Sequence, residues 1–249
     1  MVPRFFAPGA GQPGDIADLP HDEAQHLTRV LRLKAGAKIR VFNGRGAEFY
    51  ADVESLDKHR VSVLIGAPHA AAEEPRVAVT LAQAVLKGDK MDDVVRDAVM
   101  MGVAAIQPVV TARSEVTLAN LSRSRRCERW ERIAIAAAKQ SGRATVPAIL
   151  EPRASADVML ALTHLTLPGP GLMFVEPSAA SGALTLGEIT DPRPRETTIV
   201  IGPEGGWDSE ELDRGAAACR LVTLGGRTLR ADAMAIVALA ALFAHWKEY

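Results

Sequence analysis

Thiols are scarce. Cys127 and Cys219 are the two cysteines in 249 residues, far apart and in no metal-like spacing. A reduced intracellular compartment, the cytoplasm, is the simplest reading. The six histidines form no HxxxH pair, so the pattern offers no zinc site. No long apolar run occurs either. The longest is Ala233 to Ala244, short of the roughly 18 residues a membrane span needs. The first ten residues hold Pro3, Arg4, Pro8 and Gly9, with no apolar stretch of the signal-peptide kind. Charge of one sign is missing too. The net charge is −1, so any nucleic-acid contact must use a local patch. There is no internal repeat or long low-complexity tract.

What remains is an ordinary soluble globular composition, 48% hydrophobic and 24% charged, with length for two domains or one large one. A short strand around Arg4–Ala7 and a Gly/Pro loop lead into a predicted helix over Asp22–Leu33. Leu27, Val30 and Leu31 fall on its expected core face at i, i+3, i+4. His26, Arg29 and Arg32 share another face, which is either solvated or phosphate-contacting. Strands are expected at Lys38–Phe42, Glu48–Glu54 and Arg60–Gly66, the first two joined by the hairpin signal Asn43-Gly44-Arg45-Gly46. Residues 1–72 thus read as a small β-rich domain, followed by an Ala/Glu/Pro-rich linker over His69–Pro75.

From Arg76 strands and helices alternate, the mark of an α/β domain over 73–249. Strands are expected at Val77–Ala84, Val103–Val110, Leu172–Val175, Thr197–Ile201 and Leu221–Leu224. Helices are expected at Met91–Met101, Ser122–Ser141, Ala154–Leu165, Asp208–Cys219 and Ala231 to about Lys247. Asp92 and Asp93 read as first-turn acids. The arginines at 123, 125, 126, 129 and 132 alternate with Glu128 and Glu131, as on a salt-bridged exposed helix. His21, His59, His69, His164 and His245 read as surface residues or helix-end partners. The last helix is apolar nearly all round and has to be covered, by the fold or by a second subunit.

Two Gly-containing loops each follow a strand and precede a helix. The first is Gly202-Pro203-Glu204-Gly205-Gly206, with Asp208 as N-cap and Glu211 as its capping-box partner. The second runs from Gly225 to Arg230. Neither is a P-loop or a dinucleotide fingerprint. Side by side they would form one crevice of backbone donors and acceptors at the carboxyl ends of strands. No phosphate-binding lysine stands in either, which suits a ligand held by an adenine edge and a zwitterionic tail. Arg230 at a helix start opposes the helix dipole. It is either a surface residue or a contact to an anionic substrate.

The runs IGPEGGWDSEEL and LGGRTLRADAMA resemble the C-terminal signature of the SPOUT methyltransferases, and within them the ribosomal RNA small subunit methyltransferase E family. HLTRVLRLKAG at 26–36, LKGDKMDDVVRDAVMMGVAAIQPVVTARS at 86–114 and RWERIAIAAAKQSGRATVP at 129–147 carry the resemblance along the chain. It implies an N-terminal PUA-like RNA-binding domain and a C-terminal α/β trefoil-knot domain acting as a homodimer. It implies methyl transfer from S-adenosylmethionine to N3 of a uridine in 16S ribosomal RNA of the small subunit, with no metal. The cofactor would lie against Ile201, Gly202, Pro203, Glu204, Gly205, Gly206, Leu224, Gly225, Arg227, Thr228 and Leu229. Arg230 would position the substrate, and Arg4, His26, Arg29 and Arg32 would contact RNA. Gly226, Asp232 and Ala233 depart from the family's usual proline, glutamate and threonine, and Asp97 and Met100 from its lysine and glutamate. Asp232 keeps the charge with a shorter reach, and Ala233 removes a hydroxyl.

Overall fold

The computed structural model describes residues 2–57, 60–179 and 182–248. His59 lies outside them. The chain divides into two units, Met1–Glu74 with Ile135–Val146, and Pro75–Ala134 with Pro147–Tyr249.

The first unit is a five-stranded sheet in the order β1-β3-β4-β5-β2. Its strands are β1 (Arg4–Phe6), β2 (Ile16–Asp18), β3 (Lys38–Phe42), β4 (Glu48–Leu56) and β5 (Val61–His69). β1 lies parallel to β3 and the other pairs are antiparallel. The β3–β4 hairpin turns where the Asn-Gly signal put it, and Asn43 Oδ1 accepts the N–H groups of Arg45 and Ala47. Phe5, Leu27, Ile39, Val41, Val53 and Val63 fill the core. Each such side chain removed from water contributes about 1.5–3 kcal/mol.

The helix expected over 22–33 is the main departure here. A short α1 (His21–Gln25) passes into a π-helical turn over His26–Val30, in which the Leu31 N–H donates to the His26 carbonyl. The wider turn rotates the following residues. Leu27 stays buried, but Val30 is 69% and Leu31 40% exposed, so the expected core face is wrong beyond Leu27. Arg4 also has another occupation. Its guanidinium donates to Glu48 and to the carbonyls of Ala138, Lys139 and Arg143, and it lies over the Phe42 ring. At 9% exposure it is a structural cation and has no donor left for RNA. His69 is half-buried, held against Glu48 and Arg40 and edge-on to Tyr50.

The second unit is an eight-stranded parallel sheet, in the order β11-β13-β10-β12-β6-β7-β8 with β9 also on β7. The strands are β6 (Ala78–Ala84), β7 (Ala105–Val110), β8 (Ala148–Ile149), β9 (Arg153–Ala154), β10 (Gly171–Phe174), β11 (Leu184–Thr185), β12 (Glu196–Ile201) and β13 (Cys219–Thr223). The helices are α2 (Lys90–Met101), α3 (Leu118–Arg123), α4 (Arg126–Ser141, of which the residues from Ile135 on belong to the first unit), α5 (Ser155–Thr163), α6 (Ser209–Ala218) and α7 (Ala231–His245), with a 3₁₀ turn at Leu186–Glu188. β12 is buried from Thr197 to Ile201, as a central parallel strand covered on both faces must be.

The single helix expected over 122–141 is two. Thr117 caps α3 by accepting the Asn120 N–H, and Ser124 breaks the chain and accepts the Arg126 N–H. The salt-bridge reading of its arginines is partly replaced. Arg125 pairs with Glu128, but Arg129 pairs with Asp89 and Asp92 at the start of α2. α7 buries Ala235, Ala238, Leu239, Leu242 and Phe243 and leaves Val237 41% exposed. Among the described residues no helix is long and apolar enough to cross a membrane, and no cluster of metal-binding side chains occurs.

Candidate functional site

Three neighbouring parallel strands, β13, β10 and β12, end at one place. Their last residues, Thr223, Phe174 and Ile201, and the segments that follow them line a cavity of about 300 Å³. That volume falls at the lower end of the small-molecule range. The first Gly-rich loop forms one wall and the second the opposite one. All the expected cofactor residues line the cavity except Gly205 and Gly225, which are exposed outside it. The Gly205 carbonyl instead accepts the Arg113 guanidinium at 2.7 Å.

Local chemistry explains the first wall. Asp208 caps α6 by accepting the Glu210 N–H, and Glu211 closes the capping box on the Asp208 N–H. Glu211 is 5% exposed, and its other oxygen takes the Ala112 N–H at 3.0 Å and the Ser155 hydroxyl at 2.5 Å. A carboxylate with three donors is satisfied despite burial, and it ties the loop after β7 and the start of α5 to α6. Trp207 lies under Gly202, with its indole N–H on the Phe174 carbonyl at 3.0 Å. A Cβ at Gly202 would lie 2.9 Å from the indole, so the ring and a side chain cannot share that place. Gly206 has φ 69°, which lets the loop turn into α6.

Glu204 gains the assignment the sequence withheld. Its Oε1 accepts Lys90 Nζ at 2.9 Å and the Lys87 N–H at 3.2 Å. Burial pushes the carboxyl up, but the Lys90 ammonium and the backbone N–H groups outweigh it and hold the group below the usual range. Lys90 itself lines the cavity, so a lysine does reach this site, from a segment more than a hundred residues earlier.

Arg230 is the N-cap residue of α7 and lines the cavity, with its side chain 73% exposed. It pairs with Asp232 through two contacts, Nε–Oδ1 at 3.0 Å and Nη2–Oδ2 at 2.6 Å. Asp232 supplies the first-turn acid the helix dipole favours, and so offsets the arginine. The pair raises Arg230 and lowers Asp232 through their mutual hydrogen bond. Arg227 also lines the cavity, and it has no hydrogen-bond or ion-pair partner among the described residues. Of the expected RNA contacts, Arg29 and Arg32 are exposed and without such partners among the described residues, whereas His26 is half-buried beside Phe5 and Lys139.

Sequence reasoning missed Glu176 and Pro177 after β10, and Trp207, Met234 and Lys90. The rule that ligands bind at strand carboxyl ends would have found Glu176 once β10 was placed between β12 and β13. Glu176 is exposed and has no side-chain hydrogen bond or ion pair among the described residues. Chemically the site offers an apolar slot between Ile201, Leu224, Leu229 and Met234, backbone polar groups on both walls, and three carboxylates.

Comparison with known proteins agrees in both units. An RNA methyltransferase domain matches residues 72–243 and an RNA methyltransferase PUA domain matches residues 19–66. Ribosomal RNA small subunit methyltransferase E of Rickettsia conorii is 30% identical over 230 residues, 90% of this chain and 87% of that one. The crystal structure of ribosomal RNA small subunit methyltransferase E from Neisseria gonorrhoeae, bound to S-adenosylmethionine, is 33% identical. It superposes with a TM-score of 0.85 over 99% of this chain and 98% of that one. A Legionella pneumophila protein whose structure holds bound S-adenosylmethionine gives 30% identity and a TM-score of 0.87, covering 98% of each chain. The small β unit and the parallel-sheet unit with its strand-end cavity are accordingly those of an RNA methyltransferase, and this chain belongs to the ribosomal RNA small subunit methyltransferase E family.

Proposed function

We propose that the protein uses S-adenosylmethionine to methylate N3 of a uridine in 16S ribosomal RNA of the small subunit. The observation that carries the reading is the strand-end cavity walled by the two Gly-rich loops. Its residues fit the cofactor. The apolar slot of Ile201, Leu224 and Leu229 suits an adenine, and loop backbone suits its polar edge. Glu176 puts a carboxylate without a partner among the described residues into the lining, which would suit a cationic sulfonium. When bound, the cofactor supplies an electrophilic methyl group. The carbon–sulfur bond breaks with its electron pair left on sulfur, and a nitrogen–carbon bond forms at N3.

The protein's own part is alignment and proton removal. Holding the two reactants in line accounts for much of the acceleration. The proton on N3 must pass to a carboxylate or a water. Glu204 is committed to Lys90 and Asp232 to Arg230, which leaves Glu176 as the lining carboxylate without a partner among the described residues. Arg230 positions the target nucleotide by its phosphate or stabilises the developing uridine anion. The target base is rotated out of its stack to reach the cavity. Arg29 and Arg32 contact RNA from the PUA-like unit.

The parallel-sheet unit carries the trefoil knot and forms a homodimer through the apolar α7, whose Val237 faces outward; sedimentation at the mass of a single chain would contradict the dimer. The protein acts in the cytoplasm, where its substrate particle is assembled. Mass mapping of the methylated nucleotide in small-subunit particles is the deciding experiment, with methylation at another base or ribose position as the outcome that overturns the assignment. In the same assay Arg230→Ala keeps cofactor affinity and loses roughly 100-fold in turnover, the size of a lost electrostatic contact in a transition state. Unchanged turnover removes Arg230 from the reaction.

A further inference from the structure

A second cavity, of about 170 Å³, lies in the same unit and is lined by Val85, Leu86, Lys87, Gly88, Glu115, Val116, Asn120 and Arg126. The loop that forms its near wall is the one whose other contacts end on Glu204. The Lys87 N–H and the Lys90 ammonium both donate to Glu204 Oε1 in the first cavity. One short segment therefore borders both sites.

Polar donors converge on the second cavity. Lys87 lines it, with its Nζ held by Glu115 at 2.6 Å. Arg126 donates one N–H to the Leu86 carbonyl at 3.2 Å and leans on the Trp130 ring, but it has no acid partner among the described residues. Asn120 uses its oxygen to accept Arg123 at 2.9 Å, which leaves its amide N–H groups to donate. Arg123 otherwise donates only to the Ala119 carbonyl, and it also lacks an acid partner among the described residues. Two lining cations, Lys87 and Arg126, thus share one lining carboxylate, Glu115, and Arg123 adds a further positive charge beside the cavity through its bond to Asn120. The protein as a whole carries a net charge of −1, so this surplus is local. Nearby cations are neutralised with care. Arg129 has Asp89 and Asp92, Arg96 has Asp93 and Asp97, and Arg125 has Glu128.

We propose that this cavity receives one phosphodiester group of the substrate RNA strand, next to the nucleotide held at the first cavity. The inference rests on the RNA-methylating reading above. An RNA backbone is the occupant the chemistry favours, because it brings a single negative charge with acceptor oxygens on every nucleotide. Binding there exchanges Glu115 for phosphate on Lys87 and brings Arg126 and the Asn120 amide to bear on it, with Arg123 adding positive charge from beside the cavity. The shared loop then couples strand placement to the Lys90–Glu204 contact.

The experiment measures equilibrium binding of a short single-stranded RNA carrying the target uridine, over a range of potassium chloride, using the full-length protein. Lys87→Gln, at an exposed position, weakens binding roughly tenfold, as the loss of a charged hydrogen bond does, and Arg123→Gln, at an exposed position beside the cavity, weakens it by less. Lys87→Gln also lowers the slope of log affinity against log salt by about 0.7, and Arg123→Gln lowers it by less. Glu115→Gln, which frees Lys87, binds RNA more tightly. Cofactor affinity stays the same in all three. A role confined to holding the fold predicts weaker or unchanged binding for Glu115→Gln, and that result overturns the proposal, as do unchanged salt slopes in the other two. Arg126→Ala is a poorer probe because it also strips a contact from Trp130. Binding is read without turnover, so a wild-type protein that binds this RNA and fails to methylate it counts against the reaction assignment alone.

Discussion

Glu204 and Lys90 show how one residue's meaning depends on a distant one. In the sequence Glu204 is an isolated charge inside a glycine-rich run, and nothing local explains it. In the structure it accepts Lys90 and the Lys87 N–H, and so fastens the first wall of the cavity to the start of α2. Its carboxyl is held below the ordinary value of 4.5. A depressed carboxylate contributes stability that is fully present above that value and is lost as pH falls through the lower folded value. Wild-type protein and Glu204→Gln therefore differ in thermal midpoint near about pH 6, and the difference shrinks below about pH 4. A difference that stays constant across that window means the ion pair does not hold the loop. Arg230 was legible as an oddity, a cation at a helix start. The reason it is tolerated, Asp232 two residues on, was also in the sequence. Arg4 was not legible, because its partners come from β4 and from residues 138–143.

Elements with a local signature were read closely. Asp208 with Glu211 gave the start of α6, and the Asn-Gly turn gave the β3–β4 hairpin. Elements whose limits depend on burial were not. The π-helical turn at His26–Val30 turns the following apolar residues outward, and a 3.6-residue period cannot foresee it. β8 and β9 hold two residues each, too few for any period to register. The break between α3 and α4 had a usable signal in Thr117 and Ser124, both helix-capping types. The strand–loop–helix over 196–218 has a steric condition that only packing reveals, since Gly202 is the space Trp207 occupies. Gly202→Ala should displace the indole from the Phe174 carbonyl and weaken cofactor binding by roughly tenfold, the size of a lost buried hydrogen bond. Calorimetry with the intact cofactor checks this, and unaltered affinity would show that the ring moves at no cost.

On the scale of the whole molecule, the change of period near residue 75 led to an expected split into 1–72 and 73–249, whereas the chain divides into Met1–Glu74 with Ile135–Val146 and Pro75–Ala134 with Pro147–Tyr249. The return of residues 135–146 to the first unit was not legible, because it falls in the middle of a continuous helix. RNA binding should draw on both units. Arg29→Ala with Arg32→Ala should lower the salt slope of particle binding by about 1.4, two contacts' worth on a single strand, with methyl-donor affinity untouched. An unaltered slope would leave those arginines merely solvated. The strand order has a consequence for biosynthesis. Among the described residues β10 pairs with β12 and β13, and both are made after it. β6 likewise waits on one side for β12, 118 residues later. A growing chain therefore holds an unpaired central strand until its last fifty or so residues leave the exit tunnel. Those same residues carry both Gly-rich loops of the cavity, so a prematurely terminated product has neither a closed sheet nor a site.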